Sequence, residues 1–195
     1  MNTLNIPLFP LYTVLFPGGL LPLKVFEPRY LSMVSDCLKQ DRGFGVCLIK
    51  EGKEAGVAAK PYPLGTLARI IDWDRNEAGQ LTLVAEGTQR FRVQRSAVRG
   101  DQLLVADVTL LENERTLDLP NSYAGLAETL EKILLQLGRP FSSMDMHLGN
   151  ASWVSARLVE LLPLPLLEKH SLLESSDPVS RLEYLAARMD RFSLD

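Results

Sequence analysis

Cysteine and histidine are almost missing from this chain, with two of each in 195 residues. Cys37 and Cys47 can build neither a disulfide framework nor a cysteine cage for zinc. Both read as ordinary buried thiols, Cys37 on an apolar helix face and Cys47 inside an apolar strand run. His147 and His170 stand in no His-Glu-x-x-His pattern and near no cysteine pair, so a surface or helix-end role is expected of them and no metal site is predicted. No apolar run reaches the roughly 18 residues of a membrane-spanning helix, and the N-terminus has no basic region followed by an apolar one with a cleavage site. A cytoplasmic protein without a membrane role is expected. An excess of one charge is also lacking: the formal net charge is −3 and the pI about 5.5, which gives no general attraction for nucleic acid or anionic membrane. The motifs Gly-x-x-x-x-Gly-Lys-[Ser/Thr], Gly-x-Ser-x-Gly and Ser-x-x-Lys do not occur, so no cofactor site and no activated nucleophile are predicted. A small hydrolase with an unrecognised site stays as a distant alternative.

What the chain does have is apolar residues, 46% against 23% charged, enough for a sizeable core. They are densest at the start. Leu8 to Tyr30 is broken by Pro10, Pro17, Pro22 and Pro28, which rule out one long helix. Leu11 to Phe16 is rich in β-branched and aromatic residues and predicts a strand, and Pro17-Gly18-Gly19 predicts a turn. Leu20 to Phe26 predicts a second extended run. Pro28 to Gln40 predicts an amphipathic helix with Tyr30, Leu31, Val34, Cys37 and Leu38 on one face and proline at its first position.

Farther on, Phe44 to Ile49, Thr66 to Trp73, Gln80 to Glu86, Arg90 to Gln94 and Leu103 to Leu111 read as short strands. The charged loop Lys50 to Lys60, the stiff Pro61 to Gly65, the hairpin signal Asp74 to Gly79 and the turn Gly87-Thr88-Gln89 separate them. This spacing predicts a mostly antiparallel barrel or sandwich over residues 1–116. From 117 to 195 the pattern turns helical. Ser122 or Asn121 is placed to cap a helix ending at Gly138, Asn150 to Leu162 and Pro165 to Leu173 follow, and Asp177-Pro178 opens a fourth. The fold class is therefore α+β, with a β-rich first part and an α-helical bundle behind it. The first part is nearly balanced in charge, and the helical part carries most of the net negative charge.

Three stretches in order, Leu8-Phe9-Pro10-Leu11 with Leu15-Phe16-Pro17-Gly18, Gly65-Thr66-Leu67-Ala68-Arg69-Ile70, and Leu83-Val84-Ala85-Glu86-Gly87-Thr88-Gln89-Arg90-Phe91, resemble the N-terminal, substrate-binding domain of the Lon protease family. The tail, Leu162-Pro163-Leu164 through Glu168-Lys169-His170 to Arg181-Leu182-Glu183-Tyr184-Leu185, is similar to the helical segment that follows the Lon barrel. The resemblance implies a PUA-like pseudo-barrel with one packed helix, then a helical subdomain. It also implies a stand-alone, non-catalytic form without the ATPase and protease parts, which recognises unfolded or partner polypeptide as an adaptor or quality-control factor. In that family the region also makes oligomer contacts, so a homo-oligomer is compatible with it.

Within the resemblance, Phe16, Leu20 and Leu21 around the Pro-Gly-Gly tip are candidates for exposed apolar surface, with packing against the first helix as the alternative. Tyr62 and Trp73, at a loop and a strand end, are the other candidates for peptide contact. Arg90, Arg92 and Arg95 raise a different reading. Alternation with Phe91 and Val93 places Arg90, Arg92 and Gln94 on one strand face, with Arg95 following closely, either as an anion or RNA surface or as a solvated sheet face, and the near-neutral barrel favours the second.

Overall fold

The structure is a computed structural model that describes residues 3–75 and 80–192. The chain divides into two compact units, Met1–Asn113 and Glu114–Asp195.

The first unit is built on six strands and one helix: β1 (Thr3–Leu11), β2 (Leu20–Val25), α1 (Pro28–Gln40), β3 (Phe44–Glu51), β4 (Lys60–Arg75), β5 (Leu81–Val98) and β6 (Leu104–Leu110). The strands run in the order β2-β5-β4-β3-β1-β6, and a further β5–β6 pairing closes the sheet on itself. Only β1 and β3 are parallel; every other pair is antiparallel. The 18-residue strand β5 makes closure work. Along one edge it pairs with β4, while on the other its first half pairs with β2 and its second half with β6.

Two apolar clusters fill this unit. Ile6, Leu8, Cys47, Phe91, Leu104, Ala106 and Val108 pack together inside the closed end. Phe91 is fully buried there, and the absence of side chains at Gly45 and Gly65 makes room for its ring; a Cβ at Gly65 would also collide with the Val46 carbonyl. The second cluster joins the sheet to α1 through Phe9, Leu15, Tyr30, Met33, Val34, Cys37, Phe44 and Leu83. Helix α1 starts with Pro28 at its first turn and ends at Asp41, whose N–H bonds to the Cys37 carbonyl and whose left-handed φ of 48° turns the Arg42 N–H back onto the same carbonyl at 3.1 Å. Its inner face includes Met33, while Leu38, expected inside, is 40% exposed.

Several expected boundaries move. The predicted strand Leu11 to Phe16 is instead the end of β1 followed by irregular chain that carries Val14, Leu15 and Phe16 into the core. Pro61 to Gly65 belongs to β4 and is not a turn. Pro61 stands opposite Ile49 where the register slips on both sides, a place where a missing N–H is tolerated. Gly87-Thr88-Gln89 is likewise no turn but the middle of β5, accommodated by a slip between Leu67 and Ala68. Of the predicted hairpin Asp74 to Gly79, residues 76–79 lie outside the described residues.

The second unit comprises α2 (Ala124–Leu137), α3 (Ala151–Leu161), α4 (Leu166–Glu174) and α5 (Pro178–Phe192), with short 3-10 turns at Asn121–Tyr123 and Phe141–Ser143. Neither Asn121 nor Ser122 caps α2; both fall in the 3-10 turn that leads into it. Asn150 does cap α3 by accepting from the Trp153 N–H, and the Asp177 carboxylate accepts from the Val179 and Ser180 N–H groups at the start of α5. Helix α3 touches α2, α4 and α5 and is buried almost throughout. Two arginines are buried here with carboxylates: Arg157 donates to Glu160 at 2.6 Å, and Arg181 grips Glu114 through both terminal nitrogens, at 2.7 and 2.5 Å. His170, expected at the surface, is buried as well.

Candidate functional site

The Pro-Gly-Gly tip is closed. Its Gly18 N–H donates to the Gly87 carbonyl at 2.7 Å, and the Gly87 N–H returns to the Gly19 carbonyl at 2.9 Å. Thr66 Oγ1 donates to the Leu15 carbonyl at 2.5 Å. The backbones approach so closely that a Cβ at Gly87 would collide with the Phe16 carbonyl. Phe16 is only 2% exposed, so it is a core residue and the expectation of an apolar surface at this position is corrected. Leu20 and Leu21 are half-buried, and Leu21 packs against the core shared with α1.

The open surface lies just beyond, on either side of β2. One depression of about 240 Å³ is lined by Pro22, Leu23 and Lys24 of β2, Asp72, Trp73 and Asp74 of β4, and Thr82, Leu83 and Val84 of β5. The register explains the grouping: Leu23, Leu83 and Trp73 stand side by side across three strands. Trp73 is 53% exposed. A second depression, of about 260 Å³, uses the same Pro22, Leu23 and Lys24, together with apolar Phe9, Leu11, Val25 and Phe26, then Tyr30, Glu27 and Glu54. Phe26 is 67% exposed. Strand β2 is thus a ridge between two hollows, each with apolar walls and acidic side chains.

The second hollow owes part of its wall to the charged loop between β3 and β4. Residues 52–58 are latched down: the Tyr12 N–H donates to Glu54 at 2.6 Å, the Tyr12 hydroxyl to the Gly52 carbonyl at 2.6 Å, and the Gly56 N–H to Glu27 at 3.1 Å. Buried Arg29 ties the latch together. It donates to the Gln102 carbonyl at 2.9 Å and the Glu54 carbonyl at 3.3 Å, pairs with Glu27 at 3.1 Å, and lies 4.6 Å from the centre of the Tyr30 ring. Burial pushes the Tyr30 hydroxyl up to about 12 despite the Arg29 charge beside it.

Of the predicted contact residues, only Trp73 stands in this surface. Leu20 and Leu21 precede the shared ridge, and Tyr62 is half-buried on β4, on the order of 35 Å from Trp73 along the strand. The missed residues are Phe26, Glu27 and Glu54. Phe26 carried no signal of its exposure, since an apolar residue just before a helix cap normally packs onto the first turn, whereas here it is exposed. The arginines share a strand face but are not all exposed on it. Arg90 is buried at 5% exposure, and Arg95 is paired with Asp107 at 2.5 Å, leaving Arg92 exposed between them. Arg90 and Arg92 stand opposite Thr66 and Leu64 in unbroken register and so share a strand face, and the slip between Val93 and Arg95 brings Arg95, opposite Asp107, to the face of Arg92, opposite Thr109; what separates Arg90 from the other two is its burial. Among the described residues no cluster of His, Cys, Asp and Glu could hold a metal ion, and no helix is long and apolar enough to cross a membrane.

A closed mixed sheet with one packed helix, followed by a helical unit, and an apolar surface around an edge strand define an α+β domain built for contact. The chain belongs to the family described as the ATP-dependent protease La (LON) substrate-binding domain, whose model matches residues 5–191. A crystal structure of a Lon N-terminal domain protein from Xanthomonas campestris is 43% identical, covers 94% of this chain and 98% of its own, and superposes with a TM-score of 0.76. The N-terminal domain of Mycobacterium avium complex Lon protease, 18% identical, shares the fold over 93% of this chain and 95% of its own, with a TM-score of 0.61. Among curated relatives, Lon protease 2 of Myxococcus xanthus is 26% identical over 95% of this chain and 23% of its own length. The Lon protease of Escherichia coli is 26% identical over 96% of this chain and 25% of its own. The chain therefore spans about a quarter of the length of these proteases.

Proposed function

We propose that this protein recognises polypeptide, holding apolar side chains of unfolded or partner proteins against the surface that flanks β2. It acts in the cytoplasm as an adaptor or quality-control factor and performs no catalysis of its own. The observation that carries this reading is the pair of open hollows sharing one edge strand, with Trp73 and Phe26 exposed beside them. Exposed aromatic surface of this kind marks contact sites. Each hollow is smaller than the roughly 300–1,000 Å³ of a small-molecule pocket, a size that suits single side chains of a chain passing over the surface. Membership in a substrate-binding domain family supports polypeptide as the ligand class.

The test is a titration with a carboxymethylated, permanently unfolded model protein. Wild type binds, and a double variant carrying Trp73→Ala and Phe26→Ala binds at least about tenfold more weakly, a loss of roughly 1.4 kcal/mol, with its melting temperature unchanged. Absence of wild-type binding at high micromolar concentration contradicts the proposal.

A further inference from the structure

Strand β2 pairs with β5 alone, and among the described residues no other strand pairs with its outer edge. The backbone groups on that edge can be assigned. The Gly87 N–H bonds to the Gly19 carbonyl, so position 19 faces β5, and strand alternation turns Leu21, Leu23 and Val25 the same way. Leu20, Pro22 and Lys24 then face outward. Pro22 supports this independently, since a proline has no N–H to give the ladder and belongs on the outer side of an edge strand. The free edge therefore offers the N–H groups of Leu20 and Lys24 and the carbonyls of Leu20, Pro22 and Lys24.

We infer that this edge takes an extended polypeptide segment as an added strand, and that the surrounding carboxylates select segments whose apolar residues are interspersed with lysine or arginine. The inference rests on the polypeptide-binding reading above and gives it a geometry. Because Pro22, Leu23 and Lys24 line both hollows, a strand laid along β2 sends alternate side chains to one hollow and the other. The charges decide the rest. Asp72 and Asp74 line the first hollow and Glu27 and Glu54 the second, and Lys24 is the only basic residue lining either. Glu27 is already paired with buried Arg29. The remaining three carboxylates outnumber the single lysine, so a cationic segment is the complementary one, with an attraction that salt screens.

The experiment uses an eight-residue peptide of alternating apolar and threonine residues flanked by two lysines at each end, its glutamate-flanked counterpart, and a scan of single backbone N-methyl groups. Strand addition predicts a period of two: methylation at every second nitrogen weakens binding at least tenfold, and methylation between them changes it less than twofold. The lysine-flanked peptide binds at least tenfold tighter than the glutamate-flanked one at low salt, and Asp72→Asn with Asp74→Asn narrows that gap. A methyl scan without periodicity, on a peptide that still binds, overturns strand addition and leaves polypeptide binding standing. Equal binding of the two peptides overturns the charge selection. If neither the peptides nor an unfolded protein binds, the reading beneath both falls.

Discussion

The two halves of β5 are used in opposite ways. From Phe91 to Val98 the strand is paired on its outer edge with β6, and Phe91 sits sealed among Leu8, Gly45 and Gly65. This end is further fastened by Asp107, which accepts from Asn5 at 2.7 Å and from Arg95 at 2.5 Å. From Leu81 to Glu86 the same edge carries only β2, beyond which lie the open hollows. One strand thus closes the barrel at one end and presents a short, proline-bearing ridge at the other. Side chains on the outside of the open end can be changed for binding without touching the core that holds the fold.

Substitutions can break this contrast. Phe91→Ala, in the closed half, should cost about 3–5 kcal/mol in chemical denaturation, because it leaves a cavity between neighbours that cannot collapse onto glycine positions. Gly65→Ala should cost about 1–3 kcal/mol by forcing β3 and the Phe91 ring to shift. A smaller, pH-confined effect belongs to Tyr30 behind the second hollow. Its hydroxyl titrates at about 12 in the folded chain against 10.0 ordinarily, so its stabilising contribution is whole below pH 10 and is lost as pH rises to about 12. The Cys47 thiol, raised by burial from 9.0 to about 12, adds an earlier onset. Denaturation midpoints from pH 8 to 12 should fall less steeply in Tyr30→Phe. Trp73→Ala, on the open half, should change stability by less than about 0.5 kcal/mol. Equal losses for Phe91→Ala and Trp73→Ala would show that both ends are core.

Local signals in the sequence located what depends on neighbours in the chain. Pro28 with apolar residues at helical spacing marked α1, Asp177 before Pro178 marked α5, the succession of β-rich and helical stretches gave the class, and the motif stretches around Pro10, Gly65 and Gly87 carried the family resemblance. Features set by distant contacts stayed hidden. Gly87 reads as a turn residue until the Phe16 carbonyl is seen pressed against it, and Pro61 reads as a breaker until the register slip beside Ile49 is known. The 52–58 loop is mostly exposed, as its charged sequence suggests, but nothing near it in sequence shows that Arg29 and Tyr12 hold it in place. The candidate site suffered most. Phe16 was credited with exposure on the strength of a turn that is in fact docked, and Arg90, although on one face with Arg92, is buried. Trp73 is exposed, as a large aromatic near a polar strand end is for local reasons.

The most direct test of polypeptide addition at β2 is residue-resolved amide hydrogen exchange with and without a saturating unfolded polypeptide. The Leu20 and Lys24 amides should exchange rapidly in the free protein and become protected on binding, while Leu21, Leu23 and Val25, already bonded to β5, change little. Protection that appears elsewhere and leaves Leu20 and Lys24 exchanging as before would contradict the account.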